Sequence, residues 1–246
     1  MAAQDILDKA IEAHGGLTRF QATREIVLAI RSGGFAFVMR RQSATLPPFE
    51  ARATTSEPRL TISPYPKDGQ RGQFEPQRVW IESDDGKEVS EREQPRSAFR
   101  GIRRQLRWDD LDLLYFAGYA LWNYVSAPFM FTRPGFELTE LDPWEENGER
   151  WSRLKVLFPD DIPTHSREQH FYFGEDGLLR RLDYTAEVFG NWAKAAHYCH
   201  DHRPFDGLLV PTRRKVFPRR RDNRARPRPT IVWIEVDAVK LLPAVA

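Results

Sequence analysis

The segment WDDLDLLYFAGYALWNYVSAPFMF, residues 108–131, predicts how the rest of the chain is arranged. It carries no charged residue over positions 113–131, whereas charged residues recur every few positions elsewhere in the chain. Three aspartates open the stretch, which suits the positive end of a helix dipole, and Asp109 is the predicted N-cap. Pro128 is placed to end the helix. Because a helix that is apolar on every side needs cover on every side, the sequence predicts an internal helix around which the remaining chain folds.

A membrane span is the first alternative to an internal helix. The uncharged stretch of 19 residues is close to the length that crosses a bilayer. Its composition favours the internal helix, since it contains Asn123, Ser126 and three tyrosines rather than a run of Leu, Ile and Val. We therefore expect no membrane span.

On either side of this stretch the spacing of apolar residues changes from the helical period to a period of two residues. Residues 4–14 predict a short N-terminal helix that stops at two glycines, and alternating segments then predict strands over 25–93. The segment FAFVMRRQ, residues 35–42, is one of these predicted strands. Lid helices are expected over 96–130, with the first part, 96–106, basic and helical.

Strand signals resume over 135–242 and include Asn-Gly and Asp-Gly hairpin turns. The predicted fold class is mainly β with added helices (α+β), built as a curved antiparallel meander. We expect an unclosed β-barrel of about 11 strands with an N-terminal helix and the long apolar helix in its concave face. Nothing in the sequence divides residues 1–246 into two domains.

Composition limits the setting and the partners. The single cysteine, Cys199, excludes a disulfide within the chain, and the N-terminus is acidic with no apolar core of a signal peptide, so we expect a cytoplasmic protein. Residues 213–228 contain nine basic residues and one acid. A solvated hairpin turn is the favoured interpretation of this segment. The sequence does not favour nucleic acid as a partner, because no aromatic residues alternate with the arginines.

Three short segments resemble one known family. The sequence HGG at 14–16 ends the first helix, FYFGEDGLLRRLDY spans 171–184, and FDGLLVPTRRKV spans 205–216. In this order, within a long meander, they resemble the lipoprotein-carrier (Lol-type) superfamily. That resemblance implies an open barrel that holds a hydrophobic ligand between its sheet and its helices, and it supplies no catalytic residues. The tyrosine- and tryptophan-rich lid favours an aromatic ligand over acyl chains.

Candidate ligand-binding residues come from the apolar helix and from the strands. On the helix, Tyr115, Tyr119 and Trp122 form one stripe, and Asn123 adds a polar group. Plain core packing is the alternative role of this stripe. The strand candidates share polar side chains that would fix a ligand's orientation if they pointed inward, and they are His165, Arg167, Gln169 and Arg214.

The candidate catalytic residues are His197, Asp183 and Tyr184. A carboxylate on the neighbouring strand would orient His197 as a general base. In an extended strand His200 and His202 share one face and His197 lies on the other. The histidine spacing predicts no metal site, and no phosphate loop or dinucleotide fingerprint occurs, so no cofactor is expected.

Two functions from different classes follow. The favoured one is binding of a small hydrophobic, aromatic molecule between the curved sheet and the helical lid. The alternative is a cofactor-independent lyase, isomerase or cyclase that uses a His, Asp and Tyr site in the same cavity. A weaker alternative is binding of nucleic acid or an anionic membrane through the basic segment. The oligomeric state stays open.

Overall fold

The computed structural model describes residues 2–101 and 106–244, and within these thirteen strands form one antiparallel sheet. The strand order is β6-β5-β4-β3-β2-β1-β13-β12-β11-β10-β9-β8-β7. Strands β6 and β7 are therefore the two edge strands, each paired on one side only, and the sheet does not close. The strands are β1 Thr23–Gly33, β2 Phe49–Thr54, β3 Leu60–Ser63, β4 Gln70–Glu75, β5 Arg78–Ser83, β6 Glu88–Glu93, β7 Glu137–Glu146, β8 Glu149–Leu157, β9 Glu168–Phe173, β10 Leu179–Thr185, β11 Lys194–Phe205, β12 Leu208–Pro218 and β13 Val232–Pro243.

Several helices accompany this sheet in residues 2–101 and 106–244. The α-helices that lie wholly within these residues are α1 Ala3–Ala13, α2 Leu17–Gln21, α3 Phe35–Val38 and α4 Asp110–Ser126, and 3-10 turns cover Pro95–Phe99 and Phe129–Thr132. The predicted fold class, a mainly β, unclosed antiparallel barrel with one long apolar helix, is confirmed. The sheet has thirteen strands where about 11 were expected.

Helix α4 begins at the predicted cap. The backbone N–H of Asp112 donates to Asp109 Oδ1 at 2.9 Å, and the Asp109 N–H donates back to Asp112 Oδ2 at 3.1 Å. Arg92 on β6 pairs with both carboxylates, at 2.8 Å to each. This reciprocal capping satisfies amide donors that the first turn leaves free. The helix ends at Ser126, two residues before Pro128.

Strands β2 to β5 cover α4 on one side. The helix approaches them closely at two glycines: a Cβ added at Gly118 would lie 2.4 Å from Phe74 Cγ, and one added at Gly72 would lie 2.6 Å from Leu114 Cδ1. Most α4 residues are buried, including the whole predicted aromatic stripe. None of the described helices has the length and apolarity needed to cross a membrane.

Three expectations about individual elements need correction. Residues 35–42 are not a strand, because Gly34 (φ 142°) turns the chain and the Ala36 N–H donates to the Ile231 carbonyl at 2.9 Å, which holds a helical turn. Strand β4 was not predicted, since QRGQFE has no apolar alternation. Of the predicted helix over 96–106, the first residues form a 3-10 turn, and residues 102–105 lie outside the described part.

Candidate functional site

A row of buried polar side chains crosses the core between α4 and the sheet. His165 lies at its centre, with Nδ1 3.1 Å from the Tyr119 hydroxyl and Nε2 2.8 Å from the Tyr124 hydroxyl. Its ring stacks on Tyr184, with centroids 3.9 Å apart and planes 6° apart. A neutral imidazole has one N–H donor and one acceptor, so two hydroxyls satisfy both nitrogens. Burial, with the nearby charge of Arg96, lowers the pKa of His165 to about 3.

The row of buried polar side chains continues to His197. The Tyr184 hydroxyl lies 3.3 Å from the Tyr124 hydroxyl and 3.5 Å from His197 Nδ1. Arg214 Nη1 lies 3.4 Å from His197 Nε2. Because a guanidinium only donates hydrogen bonds, Nε2 accepts and the ring proton sits on Nδ1. Burial, and then the charge of Arg214, hold the pKa of His197 well below its usual value.

Arg214 places a positive charge inside this core. Its Nη1 lies 3.1 Å from Cys199 Sγ, and its Nη2 donates to the Tyr124 carbonyl at 3.0 Å. The guanidinium also stands over the Tyr124 ring, 4.9 Å from its centroid. Within residues 2–101 and 106–244 no carboxylate forms an ion pair with it. The neighbouring imidazole of His197 is therefore kept neutral by both burial and charge.

The predicted pair of His197 and Asp183 is not formed. Leu182 stands opposite His197 and Asp183 stands opposite Ala196, so the carboxylate projects from the other face of the sheet. There Asp183 accepts hydrogen bonds from Arg181 Nε at 2.7 Å and from a tyrosine hydroxyl. Tyr184, the third predicted member, does share the face of His197.

A local backbone irregularity changes the predicted arrangement of the other histidines on β11. Asp201 has a left-handed backbone conformation (φ 55°), and the register with β12 is the same on either side of it. His202 consequently points inward, with its ring 5.8 Å from that of His14. His200 stays on the opposite face, stacked on Tyr198. The expectation that His200 and His202 share a face is therefore wrong.

An apolar cavity of about 350 Å³ lies beside this row of buried polar side chains, between α3, α4 and the neighbouring ends of β10 to β13. His165 and Tyr184 reach its wall from the core. Its main apolar side chains are Phe35, Met39, Phe116, Phe189, Trp192 and Val216. This volume and this mixture, mostly apolar with a few polar groups, are typical of small-molecule sites.

The predicted helix residues do not line this cavity. Tyr119 and Trp122 are fully buried, and Trp122 Nε1 donates to the Thr54 carbonyl at 2.8 Å. Tyr115 borders a polar surface hollow instead. Asn123 Nδ2 donates to the Pro163 carbonyl at 2.8 Å and anchors the segment before His165.

The strand candidates are divided between surface and core. Arg167 is largely exposed and 3.9 Å from Asp160. Gln169 is buried and donates to the Ser166 carbonyl at 3.2 Å. Gln169 and Arg214 border an internal cavity of about 10 Å³, the space of about one water molecule. Only His165 among them reaches the apolar cavity.

Sequence reasoning missed the residues that form the cavity mouth. Phe35 and Trp192 line the mouth and are 46% and 66% exposed, high values for such side chains. Phe35 belongs to the segment predicted as a strand. Phe116 is one position away from the predicted stripe, on the adjacent face of α4. In the described part of the chain no group of three or more His, Cys, Asp or Glu side chains is placed to hold a metal ion.

Comparison with known proteins identifies the fold through structure alone. No protein-family model matches the sequence, and no curated protein does. The structure is similar to that of a LolA superfamily protein from Nitrosomonas europaea, with 14% identity, coverage of 100% of this chain and 96% of that chain, and a TM-score of 0.54.

Two further structures agree. A putative outer membrane lipoprotein-sorting protein domain from Vibrio parahaemolyticus has 8% identity, coverage of 99% and 95%, and a TM-score of 0.54. A DUF1329 family protein from Desulfovibrio piger has 12% identity, coverage of 98% and 93%, and a TM-score of 0.53. At such identities the likeness shows the fold alone. This chain therefore has the LolA-like half-barrel fold that the short sequence resemblances predict.

Proposed function

We propose that this protein binds a small hydrophobic molecule with a flat aromatic part in the apolar cavity. The observation that carries the proposal is the cavity itself, about 350 Å³ in volume, with aromatic walls and the polar groups of His165 and Tyr184. The Vibrio protein of similar fold is described as a lipoprotein-sorting domain, and handling of a hydrophobic molecule accords with that description.

The aromatic character of the wall supports a flat ligand. Phe116 and Phe189 meet edge to face at 5.4 Å, and the stacked pair of His165 and Tyr184 adds a second aromatic surface. Aromatic rings gain from such offset or edge contacts beyond the burial of their area. A bound ring would also cover the exposed side chains at the mouth, which solvent contacts unfavourably.

Acid–base catalysis is less well supported by the same geometry. The imidazole of His197 is sealed in the core, its pKa is strongly lowered, and no carboxylate of the described residues orients it. A general base works best with a pKa near the working pH. His197 also does not line the apolar cavity. The enzyme alternative therefore has no observation in its favour.

The test is a fluorescence titration with 1-pyrenebutanol, a neutral aromatic probe, and native mass spectrometry of protein purified from its own host. Phe35→Ala removes part of the mouth and should weaken the probe's Kd about fivefold, or about 1 kcal/mol. Val38→Ala is the matched control, because Val38 lies on the same short helix and is also 46% exposed but does not line the cavity. Equal effects of the two variants, or no saturable binding, would contradict the proposal.

A further inference from the structure

We infer that the natural ligand is an amphiphile with an oxyanion head, a carboxylate or a phosphate, which binds at a basic mouth of the apolar cavity. The basic mouth consists of Lys194, Arg219 and Arg226, which all line the cavity. This inference rests on the proposed function and specifies the chemical class of its ligand.

The backbone brings the basic mouth together. The Arg219 N–H donates to the Lys194 carbonyl at 2.9 Å, where the end of β12 meets the start of β11. The Arg226 N–H donates to the Pro218 carbonyl at 2.8 Å, and Arg219 forms an isolated bridge with Ala225. Three cationic residues from separate segments are thus fixed at one end of the cavity by main-chain hydrogen bonds.

The charges at the basic mouth are poorly neutralised. Lys194 and Arg226 form no ion pair within residues 2–101 and 106–244. Among the described residues no Asp or Glu lines the cavity. Two of the three positive charges, those of Lys194 and Arg226, therefore lack a carboxylate partner, and an anionic head group would supply one.

Arg219 has the most telling environment of the three. Its Nη1 donates to Asn223 Oδ1 at 2.7 Å and lies 3.6 Å from Asp183, a carboxylate that already binds Arg181. Its Nε is buried with no hydrogen-bond partner in the described part of the chain. A buried guanidinium donor without an acceptor costs free energy, and a charge-assisted hydrogen bond from the guanidinium to an oxyanion of the ligand would offset that cost.

The other basic residues of the segment 213–228 do not line the cavity, so the mouth is not a general property of a basic turn. Arg213 pairs with Asp201 at 2.8 Å, and Arg214 lies in the core. Arg220 and Arg221 are exposed and do not line the cavity. Arg220 and Arg221 provide a control of equal charge, since their replacement also removes two positive charges but none from the cavity wall.

The experiment compares 1-pyrenebutanoate with 1-pyrenebutanol, which share the ring and the chain and differ in the charge of the head. We expect the acid to bind the wild type about tenfold more tightly at low salt, about 1.4 kcal/mol. In Lys194→Met/Arg226→Met the ratio should fall to about two, while the Kd of the alcohol stays unchanged. Arg220→Met/Arg221→Met should keep the wild-type ratio. In 1 M NaCl the ratio should also shrink, because charges at the open mouth are screened.

The outcomes separate the two proposals. Equal Kd values for the acid and the alcohol in the wild type would overturn the anionic head and leave hydrophobic binding standing. Absence of binding by both probes would overturn the proposed function itself. A loss of affinity shared by both probes in Lys194→Met/Arg226→Met would also overturn the inference, since it would show damage to the cavity. Displacement of the acid by octanoate or by octyl phosphate, but not by octanol, would confirm the oxyanion head and identify its type.

Discussion

Mild acid should destabilise this protein through its buried imidazoles, and His165 allows the effect to be calculated. The side chain is 1% exposed, and its two nitrogens lie within hydrogen-bond distance of the Tyr119 and Tyr124 hydroxyls. Protonation would place a charge in the core near Arg96. Desolvation and that neighbouring charge lower the pKa of His165 from 6.5 to about 3.

The sign follows from proton binding. In the unfolded chain the imidazole of His165 takes up a proton below about pH 6.5, whereas in the folded protein it stays neutral until about pH 3. Between these values the unfolded state binds more protons, so the free energy of unfolding falls as the pH falls. Above about pH 6.5 the neutral His165 contributes its full stabilisation. Between pH 7 and pH 5 the free energy of unfolding falls by about 2 kcal/mol because of His165 alone.

Urea unfolding at pH 7, 6 and 5 measures this loss. His165→Gln should be less stable at pH 7 by about 1–3 kcal/mol, because it disturbs the contacts with two tyrosines. Its further loss between pH 7 and pH 5 should be about 2 kcal/mol smaller than that of the wild type. The remainder comes from the other histidines whose pKa burial lowers, including His14, His197 and His202. The control is His170→Gln, since His170 is only partly buried and 3.2 Å from Glu168. Parallel pH dependence in the wild type and His165→Gln would refute the reasoning.

Two further predictions concern stability. Helix propensity alone predicts that Gly118→Ala raises the free energy of unfolding by about 1 kcal/mol and that Ala117→Gly lowers it by as much. Because a Cβ at position 118 would lie 2.4 Å from the Phe74 ring, Gly118→Ala should instead lower the free energy of unfolding by a net of about 1–2 kcal/mol, so both variants should lower the urea midpoint. A higher midpoint for Gly118→Ala would contradict this packing. Arg181→Met should lower the free energy of unfolding by about 3–5 kcal/mol because it leaves the buried Asp183 without its main partner. In calorimetry the double variant Arg181→Met/Asp183→Leu should recover part of that loss, and a purely additive result would count against the pair.

The long helix and its surroundings were predictable because local rules and tertiary packing agree there. The absence of charge over 113–131, the cap at Asp109 and the break at Pro128 fix where the helix begins and ends. An apolar surface on every side required cover on every side, and the sheet provides it. The local sequence pattern gave a wrong prediction at residues 35–42. There the N–H groups of Phe35 and Ala36 donate to the carbonyls of residues 230 and 231, just before β13, and these contacts override the apolar pattern.

The candidate site was less predictable because it depends on strand register. A shift of one residue decides whether a side chain faces the core or solvent. Asp183 and Tyr184 are neighbours in sequence, yet only Tyr184 faces His197. The left-handed backbone of Asp201 separates the faces of His200 and His202 without any change in register. Neither feature leaves a signal in a single sequence.

The position of α4 explains why the cavity lies where it does. The helix packs against β2 to β5 and occupies that part of the half-barrel, whereas the cavity is walled by β10 to β13 with Phe116 as its contribution from α4. The aromatic stripe of the helix is therefore core, consistent with its full burial. Under the proposed function, ligand preference should change with substitutions in segments 35–39, 186–195 and 216–232, which supply most of the wall. Substitution of Trp122 should instead lower the free energy of unfolding measured in urea, because this ring packs in the core and does not line the cavity.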